Sequence, residues 1–208
     1  MPPSSLVHII DDDDAMRDSL AFLLRTARIE VRTYESATAF LNSMPDGADG
    51  CVVTDVRMPG LSGVDLLRQL KARGSTMPVI VITGHGDIQL AVEAMKIGAA
   101  DFLEKPFDDE ALLASVRSAI DRLQKDAQRD GERAELNNRL ASLSGREREV
   151  LVGLVAGKAN KVIAFDLGIS PRTVEIYRAH VMTKMNAGSL SELVRMALLA
   201  GVLEAGQP

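Results

Sequence analysis

The chain lacks the features that mark secreted, membrane-spanning and repeat proteins. Its 208 residues contain one cysteine, Cys51, so no intrachain disulfide can form. No apolar run approaches the roughly 18 residues that a membrane span needs. The opening MPPSSLVHIIDDDD has no basic stretch ahead of its short apolar run, unlike a signal peptide. There are no internal repeats. These absences point to a cytoplasmic protein with no membrane partner, in which Cys51 is a small buried strand residue.

A basic excess is also missing. The net charge of −5 speaks against nucleic-acid binding by the chain as a whole. The charge is uneven, however. Residues 143–208 carry eight Lys/Arg against six Asp/Glu, a net of +2, and the remainder carries −7. An acidic front and a mildly basic tail suggest two different tasks.

What the chain does have is a set of short apolar runs that end in polar residues. LVHII stops at Asp11 and Asp12, CVVT at Asp55, PVIVI at Thr83 and DFLE at Lys105. Segments of helical periodicity separate them: Met16, Leu20, Leu23 and Leu24, then Val64, Leu67 and Leu70, then Leu90, Ala91, Ala94 and Met95. Ser36, Ser62, Asp87 and Asp108 stand where an N-cap oxygen is needed. Five such β-α units predict an α/β fold, a doubly wound five-stranded parallel sheet. Ligands of such sheets bind beyond the strand C-termini, where strand order reverses. All five polar residues fall on that edge.

Three carboxylates, a hydroxyl and an ammonium in one pocket suit a divalent cation and a phosphoryl group. Asp55 is the candidate nucleophile, because a carboxylate can carry phosphorus as an acyl phosphate. Asp11 and Asp12 would repel an incoming phosphate without a hard cation, and Mg²⁺ suits such a site. Lys105 supplies a positive point charge and Thr83 a hydroxyl for phosphate oxygens. Asp13 and Asp14 are expected in solvent or near the next helix start, where negative charge is favourable.

Residues 124–141 are charged and poor in large apolar side chains, and predict a linker that is partly helical, weakened at Gly131. Residues 142–208 read as a small all-α domain. Within it NKVIAFDLGISPRTVEIYRAHVMTKM is a helix, a tight glycine turn and a second helix, the helix-turn-helix pattern. Asn160 is expected to cap the first helix and Ser170, with Pro171, to start the second. Val174, Tyr177, Val181 and Met185 share an inward face. Arg172, Thr173, Glu175, Ile176, Arg178 and Ala179 lie toward the other, as base-reading residues of a recognition helix do. Lys161, Ser170 and Lys184 are placed to hold phosphates.

The Asp-Asp pair, Asp55 in TDVRMPGLSG, Thr83-Gly84 and Lys105-Pro106 together resemble the receiver domain of two-component response regulators over about residues 5–123, within a domain spanning residues 1–123. LSGREREVLVGLVAG, the helix-turn-helix and SLSELVRMAL resemble the LuxR-type DNA-binding domain. The chain is thereby identified as a response regulator of the LuxR/FixJ family, with a flavodoxin-like receiver.

The resemblance implies that Asp55 is the phosphoacceptor. Asp11, Asp12, Asp55 and the Arg57 backbone carbonyl hold Mg²⁺, and Lys105–Pro106 is a cis peptide. Thr83 and Phe102 form a switch, and a dimer forms over the fourth helix and fifth strand around Val92, Met95, Lys96 and Phe102. Arg57 and His85 occupy positions that tune phosphoryl lifetime. Implied partners are a FixL-like sensor histidine kinase, double-stranded promoter DNA, RNA polymerase and a second copy of the phosphorylated chain. Implied targets are nitrogen-fixation and microaerobic genes, or those of a related regulator with another input. A Mg²⁺-dependent phosphatase of the haloacid-dehalogenase type uses the same residue classes. Its nucleophile follows the first strand in Asp-x-Asp with Thr or Val next, which IIDDDDAM lacks.

Overall fold

A computed structural model gives the fold, with residues 6–44, 49–84 and 87–202 described apart from the side chain of Ile88. Chain contacts divide it into two compact units, Met1–Ala127 and Gln128–Pro208.

The first unit holds the sheet. Strands β1 (Leu6–Ile10), β2 (Glu30–Tyr34), β3 (Cys51–Asp55), β4 (Val79–Thr83) and β5 (Asp101–Glu104) alternate with α1 (Asp14–Thr26), α2 (Ala37–Ser43), α3 (Gly63–Ala72), α4 (Ile88–Ile97) and α5 (Asp109–Ala141). All strand pairs are parallel, in the order β2-β1-β3-β4-β5. The doubly wound sheet is therefore as expected.

Side-chain alternation builds two cores. Val52, Val79 and Val81 point toward Phe40 of α2, Leu67 of α3 and Ala94 of α4. Val53, Ile80 and Ile82 point toward Leu20 and Leu24 of α1 and Leu112 and Val116 of α5. Burial on both faces explains why β1, β3 and β4 read as continuous apolar runs rather than alternating ones. The order reverses between β1 and β3, so Asp11 and Asp55 emerge side by side at the switch point.

Local signals account for most helix starts. Asp13, Ser36 and Ser62 each accept a first-turn N–H with the side chain. Asp87 stands at the N-cap of α4 but makes no capping bond. Gly63 begins α3 for a steric reason: a Cβ there would lie 2.2 Å from the Asp55 carbonyl oxygen. Residues 124–141 depart from expectation, being helical throughout as part of α5. A glycine at 131 costs a helix about 1 kcal/mol. The Gln128–Glu132 hydrogen bond and the Glu135–Arg139 ion pair, both at i,i+4 spacing, work against that cost.

The second unit adds α6 (Gly145–Val155), α7 (Asn160–Leu167), α8 (Pro171–Met185) and α9 (Leu190–Leu199). They bury Val150, Leu151, Ile163, Val174, Val181, Met185 and Leu193 together. Between α7 and α8, Gly168 takes a left-handed φ of 65°, which favours glycine and allows the tight turn. Ala159 rather than Asn160 occupies the α7 N-cap, so Asn160 is the first helical residue.

Candidate functional site

Beyond the β-strand ends, Lys105 Nζ donates to Asp55 Oδ1 at 2.6 Å and stands 3.6 Å from Asp11 Oδ2. Asp11 and Asp55 are both buried. The other Asp55 oxygen, Oδ2, accepts the Arg57 backbone N–H at 2.6 Å. Asp11 is fixed in turn: its Oδ1 accepts the Asp13 N–H at 2.9 Å and its carbonyl accepts from Arg17 at 2.7 Å.

Burial raises the Asp11 carboxyl above its ordinary pKa, against the Asp13 N–H and the Lys105 charge. Burial opposes the Lys105 charge too. The hydrogen bond and charge of Asp55, with Asp11 behind them, nonetheless hold its ammonium above the usual range. Burial alone pushes the Cys51 thiol up to about 12.

The pocket is thus less symmetrical than three equal carboxylates. Asp12 is exposed, and among the described residues no three acidic, His or Cys side chains are gathered as a ready cation cage. The donor set still suits a hard cation. Asp11 Oδ2 is buried with no hydrogen bond, only the Lys105 ammonium at 3.6 Å, and a buried carboxylate oxygen left so suits a hard cation.

Thr83 is buried at the end of β4, its hydroxyl donating to the Leu103 carbonyl at 3.4 Å. Phe102, in register with Val81 on the neighbouring strand, is 44% exposed. Val92, Met95 and Lys96 share an exposed stripe of α4. The Lys105–Pro106 peptide is cis. Arg57 sends its guanidinium to the Asp87 carboxylate, Nε donating at 2.8 Å, and His85 lies outside the described residues.

In the second unit, α8 turns Arg172, Glu175, Ile176 and Ala179 outward, with Thr173 and Arg178 half-buried. Arg172 and Glu175 form an exposed pair at 3.4 Å. The Ser170 hydroxyl accepts the Thr173 N–H as the helix cap and shares a further bond with the Thr173 hydroxyl. Lys161 is exposed at the start of α7. Lys184 differs from its expected part as a phosphate clamp, because its Nζ donates to Glu147 at 2.7 Å and to the Ser142 carbonyl at 3.2 Å.

Glu147 went unnoticed in the sequence. Its buried carboxylate accepts from Lys184 and from the Ser144 N–H, lies 3.6 Å from His180, and completes a capping box with Ser144. Those bonds, Lys184 first, hold its pKa down to about 2. The Ser-x-x-Glu spacing was the available signal.

Comparison with known proteins agrees with both halves. Residues 7–117 match the response regulator receiver domain, and residues 141–197 match the bacterial regulatory proteins of the luxR family. The transcriptional regulatory protein FixJ of Azorhizobium caulinodans is 62% identical over 205 residues, covering 99% of this chain and 97% of the relative. Full-length FixJ from B. japonicum, a solved structure, is 55% identical with a TM-score of 0.61, over 94% of this chain and 97% of its own. The response regulator StyR is 40% identical with a TM-score of 0.83, over 93% of this chain and 98% of its own.

Proposed function

This chain belongs to the FixJ family of DNA-binding response regulators, which regulate transcription, and from that premise we propose that it is switched by a phosphoryl group on Asp55. Residues 1–123 act as the receiver, residues 124–141 as connector and residues 142–208 as the DNA-binding domain. The observation that carries the proposal is the buried Asp55 at the sheet's switch point, with Lys105 on one oxygen and a backbone N–H on the other.

A histidine kinase is the donor that a receiver implies. An Asp55 oxygen attacks the phosphorus of the kinase phosphohistidine. The P–N bond breaks, its electron pair stays on the imidazole nitrogen, and that nitrogen takes up a proton. The product is an acyl phosphate on Asp55. Lys105 is placed to follow the negative charge from carboxylate to phosphoryl oxygens. Asp11, Asp12, Asp55 and the Arg57 carbonyl would hold Mg²⁺, which supplies neutralisation of the phosphoryl charge when bound.

The Thr83 hydroxyl then leaves the Leu103 carbonyl for the phosphoryl group, and Phe102 turns inward behind it. Val92, Met95, Lys96 and Phe102 pair with a second copy. Three of them, Val92, Met95 and Phe102, are large apolar side chains between 42% and 47% exposed, which suits a face built to be covered. The dimer presents two recognition helices to double-stranded promoter DNA and engages RNA polymerase. Likeness to FixJ over nearly the whole chain favours nitrogen-fixation and microaerobic promoters, and a FixL-like oxygen-sensing kinase as donor.

Light scattering with Mg²⁺ and beryllofluoride tests this. A monomer that doubles in mass, and an Asp55→Asn variant that does not, is the expected result. An unchanged wild-type mass overturns dimerisation as the output.

A further inference from the structure

Asp87 breaks a pattern. Asp13, Ser36, Ser62, Ser144, Ser170 and Ser189 all stand at helix N-caps, and each gives its side-chain oxygen to its own first turn. Those six residues are extended, whereas Asp87 has φ −94° and ψ 19° and caps nothing. Its carboxylate is 4% exposed and faces Arg57, thirty residues earlier. Arg57 Nε donates to Asp87 Oδ1 at 2.8 Å, and Nη2 donates to the same oxygen.

Arg57 is also the residue whose backbone N–H binds Asp55 Oδ2 at 2.6 Å. One residue therefore touches the phosphoacceptor with its main chain and the start of α4 with its side chain. The guanidinium is bound to the Asp87 carboxylate, although the Arg57 backbone stands beside Asp55. Hydrogen bonding to Asp87, then the charge of Asp87, holds the Arg57 pKa above its usual value, and the charge of Asp55 adds to this.

We propose that Asp87 is a positioning residue for phosphoryl chemistry at Asp55, holding Arg57 outside the pocket until a phosphate competes for it. The proposal rests on Asp55 being the phosphoacceptor. A phosphoryl group carries about −1.5 to −2 charge, against −1 on Asp87, and offers several acceptor oxygens. A guanidinium suits that target through its fork of donors. Transfer of Arg57 from carboxylate to phosphoryl oxygens makes and breaks hydrogen bonds only. It also leaves the Asp87 carboxylate at the N-cap of α4, a position from which a carboxylate can accept first-turn N–H groups.

The reaction that reads this out is phosphorylation by acetyl phosphate in the presence of Mg²⁺. Asp55 attacks phosphorus, the P–O bond to the acetyl group breaks and acetate leaves with the electron pair. In Asp87→Ala the guanidinium is unclaimed and available to the dianionic donor, so KM for acetyl phosphate falls about three- to tenfold with kcat little changed. Asp87→Asn, which keeps the shape and loses the charge, shifts KM in the same direction by less. In Arg57→Ala the Asp87→Ala change has no effect, because the group through which Asp87 acts is gone. A general loosening of the α4 start would move KM equally in both backgrounds.

Two outcomes overturn the proposal, and they are distinguishable. Wild type that gains phosphate while Asp87→Ala keeps its KM, or shifts it equally without Arg57, removes the latch alone. Labelling that is the same in wild type and Asp55→Asn removes the phosphoacceptor reading and the latch with it. Thermal melts of each variant establish that the kinetic comparison is between folded proteins.

Discussion

The Lys105 ammonium pairs with Asp55 at 2.6 Å and reaches Asp11 at 3.6 Å, so one cation bridges the two buried carboxylates at the sheet's switch point. It occupies an oxygen that a hard cation would otherwise use. Lys105→Met should therefore raise Mg²⁺ affinity about tenfold, equivalent to roughly 1.4 kcal/mol. The same variant should lose phosphodonor-dependent dimerisation. Isothermal titration with Mg²⁺ checks the first effect and light scattering the second; weaker Mg²⁺ binding in the variant would contradict the competition.

Gly63 carries the tightest steric constraint near the site. Its Cα faces the Asp55 carbonyl oxygen so closely that a methyl group at 2.2 Å cannot be accommodated without moving the backbone. Overpacking of this kind costs about 1–3 kcal/mol. Gly63→Ala should lower the unfolding free energy by that amount, read as a lower urea midpoint at unchanged m, and displace Asp55, with slower phosphorylation as a result. Normal kinetics in a destabilised Gly63→Ala would show that the acceptor tolerates movement of its own strand end.

Glu147 should make the helical domain acid-sensitive. Its pKa is held at about 2, below the ordinary 4.5, by Lys184 first and then by the Ser144 N–H. A depressed carboxyl contributes stability that is fully present above its unfolded value and is lost as pH falls through the folded value. The window is therefore pH 4.5 down to about 2. Circular dichroism of Glu147→Gln should show a shallower loss of helix across that window than wild type, and identical acid limbs would refute the assignment.

Phosphate contacts can be counted through salt. Each one neutralised steepens the dependence of binding on salt by about 0.9 in the log–log slope. Lys161→Ala should flatten the slope by about that much on any duplex. Ile176→Ala should leave the slope alone and change discrimination between sites, because base contacts specify while phosphate contacts position. Gel-shift titrations at several salt concentrations separate the two, and a slope unchanged in Lys161→Ala would remove that residue from the interface.

Local chemistry made most of this legible from residues alone. Buried strands announce themselves as apolar runs, and the residues that end them must meet at one edge. Asp55 and Lys105 could therefore be paired across fifty residues without coordinates. Ser36, Ser62 and Ser170 were equally readable, because a cap is made within the first turn of its own helix. What escaped was every partnership that overrides a local preference. Asp87 has the sequence look of a cap, yet Arg57 takes its carboxylate. Lys184 has the look of a surface cation free for phosphate, yet its ammonium is bound to Glu147 on α6. Gly131 argued for a weakened, only partly helical linker, whereas α5 runs unbroken through it.

Cys51 has a practical consequence for studying the switch. A thiol whose pKa is about 12 is thiolate to roughly one part in ten thousand at pH 8, and the thiolate is the reactive species. Burial in β3 shields what remains. The natural protein therefore serves as its own unreactive background for maleimide chemistry. A cysteine introduced at Met95 on α4 would take the label selectively, and a dye there would report arrival of a second copy in real time.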